Sequence, residues 1–409
     1  MKSWNGATFD SRLVKPGMLY VALKGEHADG RDFIPQAIEK GAAGVIEGRE
    51  ALAKAARDYR RTLKAKVVGV TGSAGKTTVK ELVARFLSTV GKTYATQGNY
   101  NNDIGLPITL LNCPEDADFL VAEMGTNHPG EIKYLVDIAE PDSGVISSIG
   151  TAHIEFFKTQ DGIAEEKGEL FRRVRDFAVV SRENARFEKL KAMCPVRVVE
   201  TSKDDMESDV FRMALRDILP GEHNVSNARL AFAVAAQYGA KLHECVNSLV
   251  GFKLPGHRWE TTEQNGVTYV NDAYNANPDS MIAALDAFVQ MYGRKSPAYP
   301  GDEKKALPGT SRHLVAVLGD MFELGENSLE LHKKVFEHAM SLGIDLVIGV
   351  GEMSSQCLCH LAYKKLDDLR KKFRVDVSAG DVVLLKGSRG MQLEKLLERW
   401  EANIEEPGK

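Results

Sequence analysis

Short apolar runs alternate along the chain with stretches in which apolar side chains recur at helical spacing. In the middle of the chain the apolar runs lie at 66–70, 119–123, 143–149 and 177–181. Runs that are apolar on both faces are typical of strands in a parallel sheet covered by helices. The pattern therefore predicts a central α/β domain that extends to about residue 254.

The alternation restarts after residue 254 and predicts a second, smaller doubly wound unit. Its elements are expected to be a helix at 278–291 and strands at 267–271, 314–318, 346–350 and 382–386. The hydrophobic pattern is less regular at the beginning of the chain. It predicts strand-like pieces at 18–23 and 44–47 and a helix at 49–63.

The segment between Gly293 and Arg312 interrupts this alternation. It contains three prolines and charges of both signs but no hydrophobic period. Such a composition is typical of an exposed connection between elements. We therefore expect a mobile surface loop here.

Length and charge limit the possible partners. A chain of 409 residues favours several domains, at roughly 100–200 residues each. Its 53 basic and 57 acidic residues give a net charge of −4, which excludes polyanion binding by bulk charge, so we expect no nucleic acid partner. Neither a signal sequence nor a long apolar span is evident, which predicts a cytoplasmic protein without membrane insertion. We also expect the protein to be a monomer.

The cysteines do not predict a disulfide framework or a metal centre. Five cysteines are scattered along the chain, and an odd number cannot pair completely. Cys357 and Cys359 precede His360, but zinc requires four ligands and no second pair follows. We interpret this segment as a partly buried helix.

The sequence TGSAGKTT at 71–78 follows the first central strand and precedes a helix. Backbone N–H groups of a glycine-rich turn at a helix N-terminus converge on phosphate oxygens, and the helix dipole favours their charge. Lys76 would reach the β- and γ-phosphates, and Thr77 would bind Mg²⁺. Val70 stands where the usual pattern has glycine. The predicted phosphate loop comprises Thr71, Gly72, Ser73, Ala74, Gly75, Lys76, Thr77 and Thr78.

Two residues at predicted strand ends are candidates for a metal site. Glu123 ends the apolar run FLVAE, and His153 follows the run at 143–149. Ligands of open α/β sheets collect at the carboxyl ends of the strands, where a carboxylate can hold Mg²⁺. A solvated strand-end acid and a structural histidine are the alternatives.

Three further polar segments admit two interpretations each. The amides of NYNND at 99–103 suit ligand contacts or a turn that caps the next helix. Lys167, in EEKGE, suits a functional site or a solvated helix face on which it pairs with neighbouring acids. The segment VNDAYNANPDSM at 270–281 suits recognition of a heterocycle and ribose, or a helix cap before Pro278.

Together these motifs resemble those of the Mur ligase family over nearly the whole chain. The matching segments include TFDSR, GVTGSAGKTTVKEL, TQGNYNNDIGLP, VAEMGTNHPGEI, TAHIEFF, EEKGELF, LPGEHNVSNARLA, GHRWE, VNDAYNANPDSM, LGDMFELGENS and LLKGSRGM. The resemblance implies an α/β fold of three domains. These would be a small N-terminal UDP-substrate-binding domain at 1–64, a central P-loop ATPase domain with a parallel sheet at 65–254, and a C-terminal Rossmann-like ligase domain at 255–409.

The resemblance also implies an activity. The chain is expected to join D-alanyl-D-alanine to UDP-N-acetylmuramoyl-tripeptide, with ATP and two Mg²⁺ ions, during synthesis of a peptidoglycan precursor. ATP would phosphorylate the terminal carboxylate of the nucleotide peptide, because a carboxylate is a poor electrophile and needs a leaving group. The dipeptide amine would then attack the acyl phosphate, and a tetrahedral intermediate would collapse with loss of phosphate.

Residue roles follow from the resemblance position by position. Lys76 would bind phosphate, and CO₂ would carbamylate Lys167 so that it becomes a metal ligand. The metal ligands would be Thr77, Glu123, His153 and Lys167. The other nucleotide-binding residues would be Asn101, Asn102, Asn224, Asn227, Arg258, Asp272, Tyr274 and Asn275. The substrate-side residues would be Ser11, Arg12, Thr126, Asn127, Lys386, Ser388 and Arg389.

Two other functions fit the same motifs. A sibling ligase would add a different amino acid or dipeptide to a related carboxylate, and a panel of amines distinguishes it. A nucleotide-switched scaffold would capture cell-wall enzymes only in its ATP-bound form, but the complete set of metal-binding motifs argues against it.

Overall fold

The structure, a computed structural model, describes residues 3–293, 313–372 and 377–398. The loop predicted between Gly293 and Arg312 lies outside these residues. The strands are β1 (Ala7–Thr8), β2 (Leu19–Ala22), β3 (Gly44–Glu47), β4 (Lys66–Thr71), β5 (Thr93–Ala95), β6 (Phe119–Glu123), β7 (Ser143–Ile146), β8 (Phe177–Ser181), β9 (Arg197–Thr201), β10 (Glu260–Gln264), β11 (Val267–Asn271), β12 (Leu314–Gly319), β13 (Leu346–Val350), β14 (Leu361–Tyr363) and β15 (Val382–Lys386).

The helices alternate with these strands, as the hydrophobic pattern predicts. They are α1 (Ile34–Glu39), α2 (Arg49–Arg60), α3 (Lys76–Leu87), α4 (Gly105–Asn112), α5 (Glu131–Ala139), α6 (Ile154–Phe157), α7 (Gln160–Gly168), α8 (Phe187–Met193), α9 (Glu207–Leu215), α10 (Glu222–Gln237), α11 (Leu242–Ser248), α12 (Pro278–Tyr292), α13 (Ser328–Ser341) and α14 (Leu366–Lys372).

The chain packs into two compact units. The first comprises Met1–Ile149, Phe156–Ser208 and Ser226–Val250, and the second comprises Gly150–Glu155, Asp209–Val225 and Gly251–Lys409. Of the three sheets that the described residues form, the first unit contains two. The second contains the remaining sheet together with the short segment around His153.

The central sheet of the first unit has six parallel strands in the order β5-β6-β4-β7-β8-β9. All residues of β6, β7 and β8 are buried, as expected for strands covered by helices on both faces. Strand β4 lies between β6 and β7, so the strands that follow it are added on both of its sides. Open α/β sheets bind their ligands at such a point, outside the carboxyl ends of the strands.

The other sheet of the first unit is small. Its three strands are parallel and follow the chain order β1-β2-β3. Its core consists of Val14, Tyr20, Ala22 and Ala37. Because so few side chains form this core, its stability depends on the rest of the first unit.

The sheet of the second unit has the order β10-β11-β15-β12-β13-β14, and its pairs are parallel except for β10 with β11. The neighbouring strands β11, β15 and β12 end at Asn271, Lys386 and Gly319. Since parallel strands have their carboxyl ends at the same edge, the polar residues that follow these three strands are gathered together.

The partly buried helix predicted around Cys357 and Cys359 is wrong. Residues Ser354–Gln356 form a single 3₁₀ turn, after which the chain is extended. The backbone N–H of Val347, in β13, donates a hydrogen bond to His360 Nδ1 at 2.9 Å. This hydrogen bond aligns the extended segment beside β13. In the described part of the chain, no helix is both long and apolar enough to cross a bilayer.

A buried ion pair joins α2 to the central sheet. The Arg60 guanidinium donates to Asp142 Oδ2 at 2.8 Å and to the carbonyl oxygens of Ala139 and Glu140. The same Asp142 oxygen accepts from Val67 N at 2.8 Å. The Arg60 side chain is only 7% exposed, so its loss would leave the buried Asp142 carboxylate with only the half-exposed Lys66, 3.8 Å from its other oxygen, as a counter-charge among the described residues.

We therefore expect Arg60→Ala to lower the free energy of unfolding by about 3–5 kcal/mol. The matched control is Arg61→Ala, because Arg61 pairs with Glu140 while 59% exposed, and such a pair contributes about 1 kcal/mol or less. The shift in the urea unfolding midpoint measures both variants. Equal shifts would contradict the structural role of the buried pair.

Candidate active site

The phosphate loop connects β4 to α3 at the centre of the first unit's six-stranded sheet. Strand β4 ends at Thr71 and α3 begins at Lys76. Thr77 lies in the first turn of the helix and is buried. The Lys76 ammonium folds back across the loop and donates to Gly72 O at 2.8 Å. The loop thus places a lysine, a hydroxyl and a helix N-terminus at the position where the sheet is expected to bind a ligand.

Two glycines of the loop have no room for a side chain. A Cβ at Gly72 would lie 1.9 Å from Ser147 Oγ, and one at Gly75 would lie 2.7 Å from Asn227 Oδ1. Gly75 also has a φ of 80°, in the left-handed region that favours glycine. These contacts explain the glycines of the motif, and they place Asn227, a predicted nucleotide-binding residue, beside the loop.

A pair of serines that the sequence analysis did not single out holds the loop. Ser148 Oγ accepts from Ala74 N at 3.0 Å, and its carbonyl oxygen accepts from Ser73 N at 2.9 Å. Ser147 Oγ donates to Ala74 O. Both serines directly follow β7, the neighbour of β4, so the signal in the sequence was a pair of hydroxyls after a buried strand.

Glu123 is at the carboxyl end of β6, on the other side of β4. Its side chain is buried, and Oε1 accepts from Asn101 Nδ2 at 2.8 Å. Within the described residues, Oε2 has no hydrogen-bond partner. Asn102, by contrast, accepts from Ile104 N and Gly105 N. The amide-rich segment therefore combines both interpretations, since Asn101 contacts the candidate metal carboxylate and Asn102 caps a turn.

Lys167 is completely buried in α7 of the same unit. Burial holds the pKa of its ammonium well below the usual value, and the positive charge of Lys76 lowers this pKa further. Its Nζ has no hydrogen-bond partner among the residues that the structure describes. The interpretation of Lys167 as part of a solvated, salt-bridged helix face is therefore wrong.

The remaining predicted residues of the first unit lie on two segments. Ser11 is buried, whereas Arg12 is exposed and lowers the pKa of Asp10 to about 2 by hydrogen bonding. Thr126 Oγ1 donates to His128 O at 2.9 Å, and Asn127 N donates to the carboxylate of Glu131. Both segments belong to the unit that carries the phosphate loop.

His153 belongs to the second unit. It has a φ of 60°, which is unusual for a residue with a side chain. Its Nδ1 contacts the carboxylate of Glu323, and Thr151 N and Oγ1 both donate to Asp279 Oδ2. Glu323 therefore anchors the histidine itself, and Asp279 anchors the adjacent Thr151. The sequence analysis assigned no role to either acid.

The second unit gathers the C-terminal motifs at one edge of its sheet. The buried Lys386 ammonium donates to Asp272 Oδ2 at 2.6 Å, with Asn275 O at 3.4 Å. Ser388 Oγ accepts from Phe322 N at 2.9 Å. Asn271, Lys386 and Gly319 end neighbouring strands, so this polar edge follows directly from the sheet order.

The other predicted residues of the second unit lie in loops and helices around this edge. The Arg258 guanidinium lies over the Tyr274 ring, 3.5 Å from its centroid, which holds both planar groups in place. Asn224 Nδ2 donates to Pro220 O at 2.8 Å. Arg389 pairs with Glu394 at 2.6 Å. The helix-cap interpretation also holds here, because Asn277 and Ser280 form a capping box on α12.

The donors in the first unit fit magnesium. Mg²⁺ prefers oxygen ligands and is usually bound by one or two carboxylates together with substrate phosphates and water. Glu123 supplies a buried carboxylate oxygen without a partner among the described residues, and Thr77 supplies a hydroxyl beside the phosphate loop. The described residues contain no group of three or more His, Cys, Asp or Glu that could hold a metal, so such a site depends on the hydroxyl and phosphate oxygens.

Three family models together match most of the chain. They are described as Mur ligase family, catalytic domain (residues 4–87), Mur ligase middle domain (70–235) and Mur ligase, glutamate ligase domain (257–389). The chain belongs to the Mur ligase family. Membership confirms the family and the α/β fold class predicted from the motifs, and it confirms the prediction that this Mur ligase is an enzyme that forms a bond at the expense of ATP.

Relatives of this Mur ligase match it over nearly its whole length. Two are named UDP-N-acetylmuramoyl-tripeptide–D-alanyl-D-alanine ligase. The Bacillus subtilis protein is 32% identical, covering 96% of this chain and 92% of its own. The Escherichia coli protein is also 32% identical, covering 98% and 94%.

Solved structures of the same family share the fold. MurF from Acinetobacter baumannii superposes with a TM-score of 0.81 at 27% identity, covering 97% of this Mur ligase and 93% of the other chain. MurF from Thermotoga maritima in complex with ADP gives a TM-score of 0.78 at 27% identity, covering 97% of both chains. These neighbours have the three-domain architecture of Mur ligases.

Proposed function

We propose that the chain joins D-alanyl-D-alanine to UDP-N-acetylmuramoyl-tripeptide at the expense of ATP. The observation that carries the chemistry is one arrangement in the first unit: a phosphate loop at the centre of the sheet, with a buried carboxylate at the end of the adjacent strand. The substrate assignment rests on relatives that bear this name and share about a third of their residues with nearly the entire chain.

In this proposal the phosphate loop orients ATP for attack by the terminal carboxylate of the nucleotide peptide. The α3 N-terminus and Lys76 neutralise the phosphate charge. The Asn101 amide holds Glu123 Oε1, while Oε2 has no hydrogen-bond partner among the described residues and is available to a ligand. Thr77 and Glu123 would bind Mg²⁺, which would supply charge neutralisation for the phosphoryl group.

Lys167 is proposed to be carbamylated. A neutral amine attacks CO₂, forms the N–C bond and releases a proton, which leaves a carbamate anion. The amine must be neutral to react, and burial lowers the pKa of Lys167, which increases the share of the neutral form. Carbamylation would convert a buried amine without a hydrogen-bond partner among the described residues into an oxygen donor. His153 is proposed as a further metal ligand, oriented by Glu323.

The second unit is proposed to bind the adenosine part of ATP and to assist the incoming dipeptide. Arg258 and Tyr274 form a stacked planar pair that suits a heterocycle. Lys386 and Asp272 fix the loop that contains Asn275. Asn224 and Asn227 are proposed to lie on the adenine side, with Ser388 and Arg389 on the substrate side. Ser11, Arg12, Thr126 and Asn127 are proposed to contact the nucleotide peptide.

The working domains are proposed to be 1–64, 65–254 and 255–409. Each range contains one complete sheet, which supports this division. A monomeric state, a second Mg²⁺ ion and a cytoplasmic location stay predictions.

With ATP, we expect phosphate release that depends on both UDP-N-acetylmuramoyl-tripeptide and D-alanyl-D-alanine, and a product with the mass of the amide. A coupled phosphate assay and mass spectrometry measure these outcomes. Omission of either substrate is the control. Absence of phosphate release that requires both would disprove the proposed ligase reaction.

The same assay with a panel of amino acids and dipeptides tests the sibling activity. The expected outcome is a preference for D-alanyl-D-alanine, since a dipeptide-binding site leaves buried polar groups unpaired when a single amino acid enters. A preference for a single amino acid would instead assign the chain to a sibling ligase.

A further inference from the structure

Glu166 is a buried carboxylate that none of the roles above uses. It precedes Lys167 in α7 and is only 8% exposed. Its Oε2 accepts from Gly130 N at 2.7 Å, and its Oε1 accepts from Ile132 N at 2.7 Å. Thr126 Oγ1 lies 3.5 Å from the same Oε1. A buried carboxylate with this many donors is fixed in position.

These donors surround the start of α5. The N-cap residue of this helix is Gly130, which has no side chain to accept from the first-turn N–H groups. Glu166 supplies the missing acceptor from another helix. The neighbouring Glu131 carboxylate accepts from Asn127 N and His128 N. Within the segment 126–132, Glu131 therefore holds the backbone of Asn127 and His128, and Glu166 holds the backbone of Gly130 and Ile132.

The position of Glu166 in α7 has a consequence for Lys167. Adjacent residues of an α-helix point about 100° apart, so a fixed Glu166 determines the direction in which Lys167 points. A second contact limits the helix on another side, since a Cβ at Gly168 would lie 2.0 Å from the Met193 side chain. Helix α7 therefore has little freedom to rotate about its axis.

We infer that Glu166 is a positioning residue that holds Lys167 and the segment 126–130 in one fixed arrangement. This inference rests on the proposed function, in which Lys167 is carbamylated and Thr126 and Asn127 contact the nucleotide peptide. The Glu166 carboxylate thereby aligns Lys167, the proposed metal ligand, with the segment that is proposed to bind the nucleotide peptide.

Four variants test the inference. Glu166→Ala removes both acceptors, whereas Glu166→Gln retains one acceptor oxygen. Glu165→Gln is the matched control on the neighbouring residue, because Glu165 is half exposed and pairs with Arg172 and Lys189. Thr159→Ala removes the N-cap of α7, whose hydroxyl accepts from Gly162 N, and weakens the same helix without touching the Glu166 contacts.

In Glu166→Ala we expect kcat to fall about 10- to 100-fold, with an unchanged KM for ATP and a higher KM for the nucleotide peptide. Two measurements do not depend on activity. The carbamate signal in ¹³C NMR with ¹³C-bicarbonate should weaken, and the amides of Gly130 and Ile132 should lose protection from hydrogen exchange. Glu166→Gln should be intermediate in all of these, and Glu165→Gln should match the wild type.

Thr159→Ala should lower the melting temperature but keep kcat and the carbamate signal. The inference would be overturned if Glu166→Ala lost amide protection but kept kcat within twofold, or if Thr159→Ala lost as much kcat. Should Glu166→Ala not fold, Glu166→Gln decides by the same criteria. A wild type without ligase activity would refute the proposed function, whereas the carbamate and exchange measurements would still decide the role of Glu166.

Discussion

Lys167→Ala is expected to lower kcat by about 10²- to 10³-fold, because Lys167 is proposed to become a charged metal ligand, whose loss would remove several kcal/mol of transition-state stabilisation. An added short carboxylate should restore part of the activity, since alanine leaves a cavity in which a carboxylate can replace the carbamate. Turnover measured over a series of acetate concentrations tests this, with chloride at matched ionic strength as the control. Full activity of the untreated variant would contradict a role for the carbamate.

A second variant, Lys167→Met, tests whether unfolding could cause the loss of activity. The pKa of Lys167 is lower in the folded chain than in the unfolded chain. Below the unfolded value of about 10.5, the unfolded chain therefore binds the extra proton, and the contribution of Lys167 to stability falls as the pH is lowered toward the folded pKa. Lys167→Met removes this cost. Without CO₂, we expect Lys167→Met to melt a few degrees above the wild type at neutral pH while remaining inactive.

The hydrophobic pattern was sufficient to predict most strands of the two large sheets. Strands β6, β8, β11, β13 and β15 have the predicted bounds, because a run that is buried on both faces must be continuously apolar and has clear ends. The pattern missed β5, β9, β10 and β14. Strand β10 reads ETTEQ and is largely exposed, so its pairing depends on β11 rather than on its own apolar side chains.

The candidate site was predictable where a residue follows a strand or a glycine turn. Glu123 and the phosphate loop are of this kind. The partners of Ser148 and Glu166 could not be predicted, although Ser148 follows a buried strand, because each contacts a segment distant in the chain, as in the contact of Ser148 with Ala74 N. Single hydroxyl and carboxylate side chains carry no periodic signal, and only the sheet order brings them to their partners. The burial of Lys167 was likewise hidden, since the acids beside it suggest an exposed helix face.

Lys76→Ala is expected to lower kcat/KM by about 10²- to 10³-fold, because a preorganised charge that stabilises the transferring phosphoryl group is lost. The KM for ATP should rise as well, since the same ammonium is proposed to contact the phosphates in the ground state. Steady-state kinetics with varied ATP measures both. Lys92→Ala, just beyond the end of the same helix, is a control, because Lys92 is half exposed and pairs with Asp116 rather than with the phosphate loop. Wild-type kinetics for Lys76→Ala would refute the assignment of the loop.

A second result of Lys76→Ala would separate electrostatics from simple loss of phosphate binding. The charge of Lys76 is one of the causes that hold the pKa of Lys167 low, after burial itself. Its removal should therefore raise this pKa, so that less neutral amine is present at a given pH and carbamate formation with ¹³C-bicarbonate requires a higher pH. Burial is the larger cause, so the shift should be partial. If the carbamate titration were unchanged, Lys76 and Lys167 would act independently.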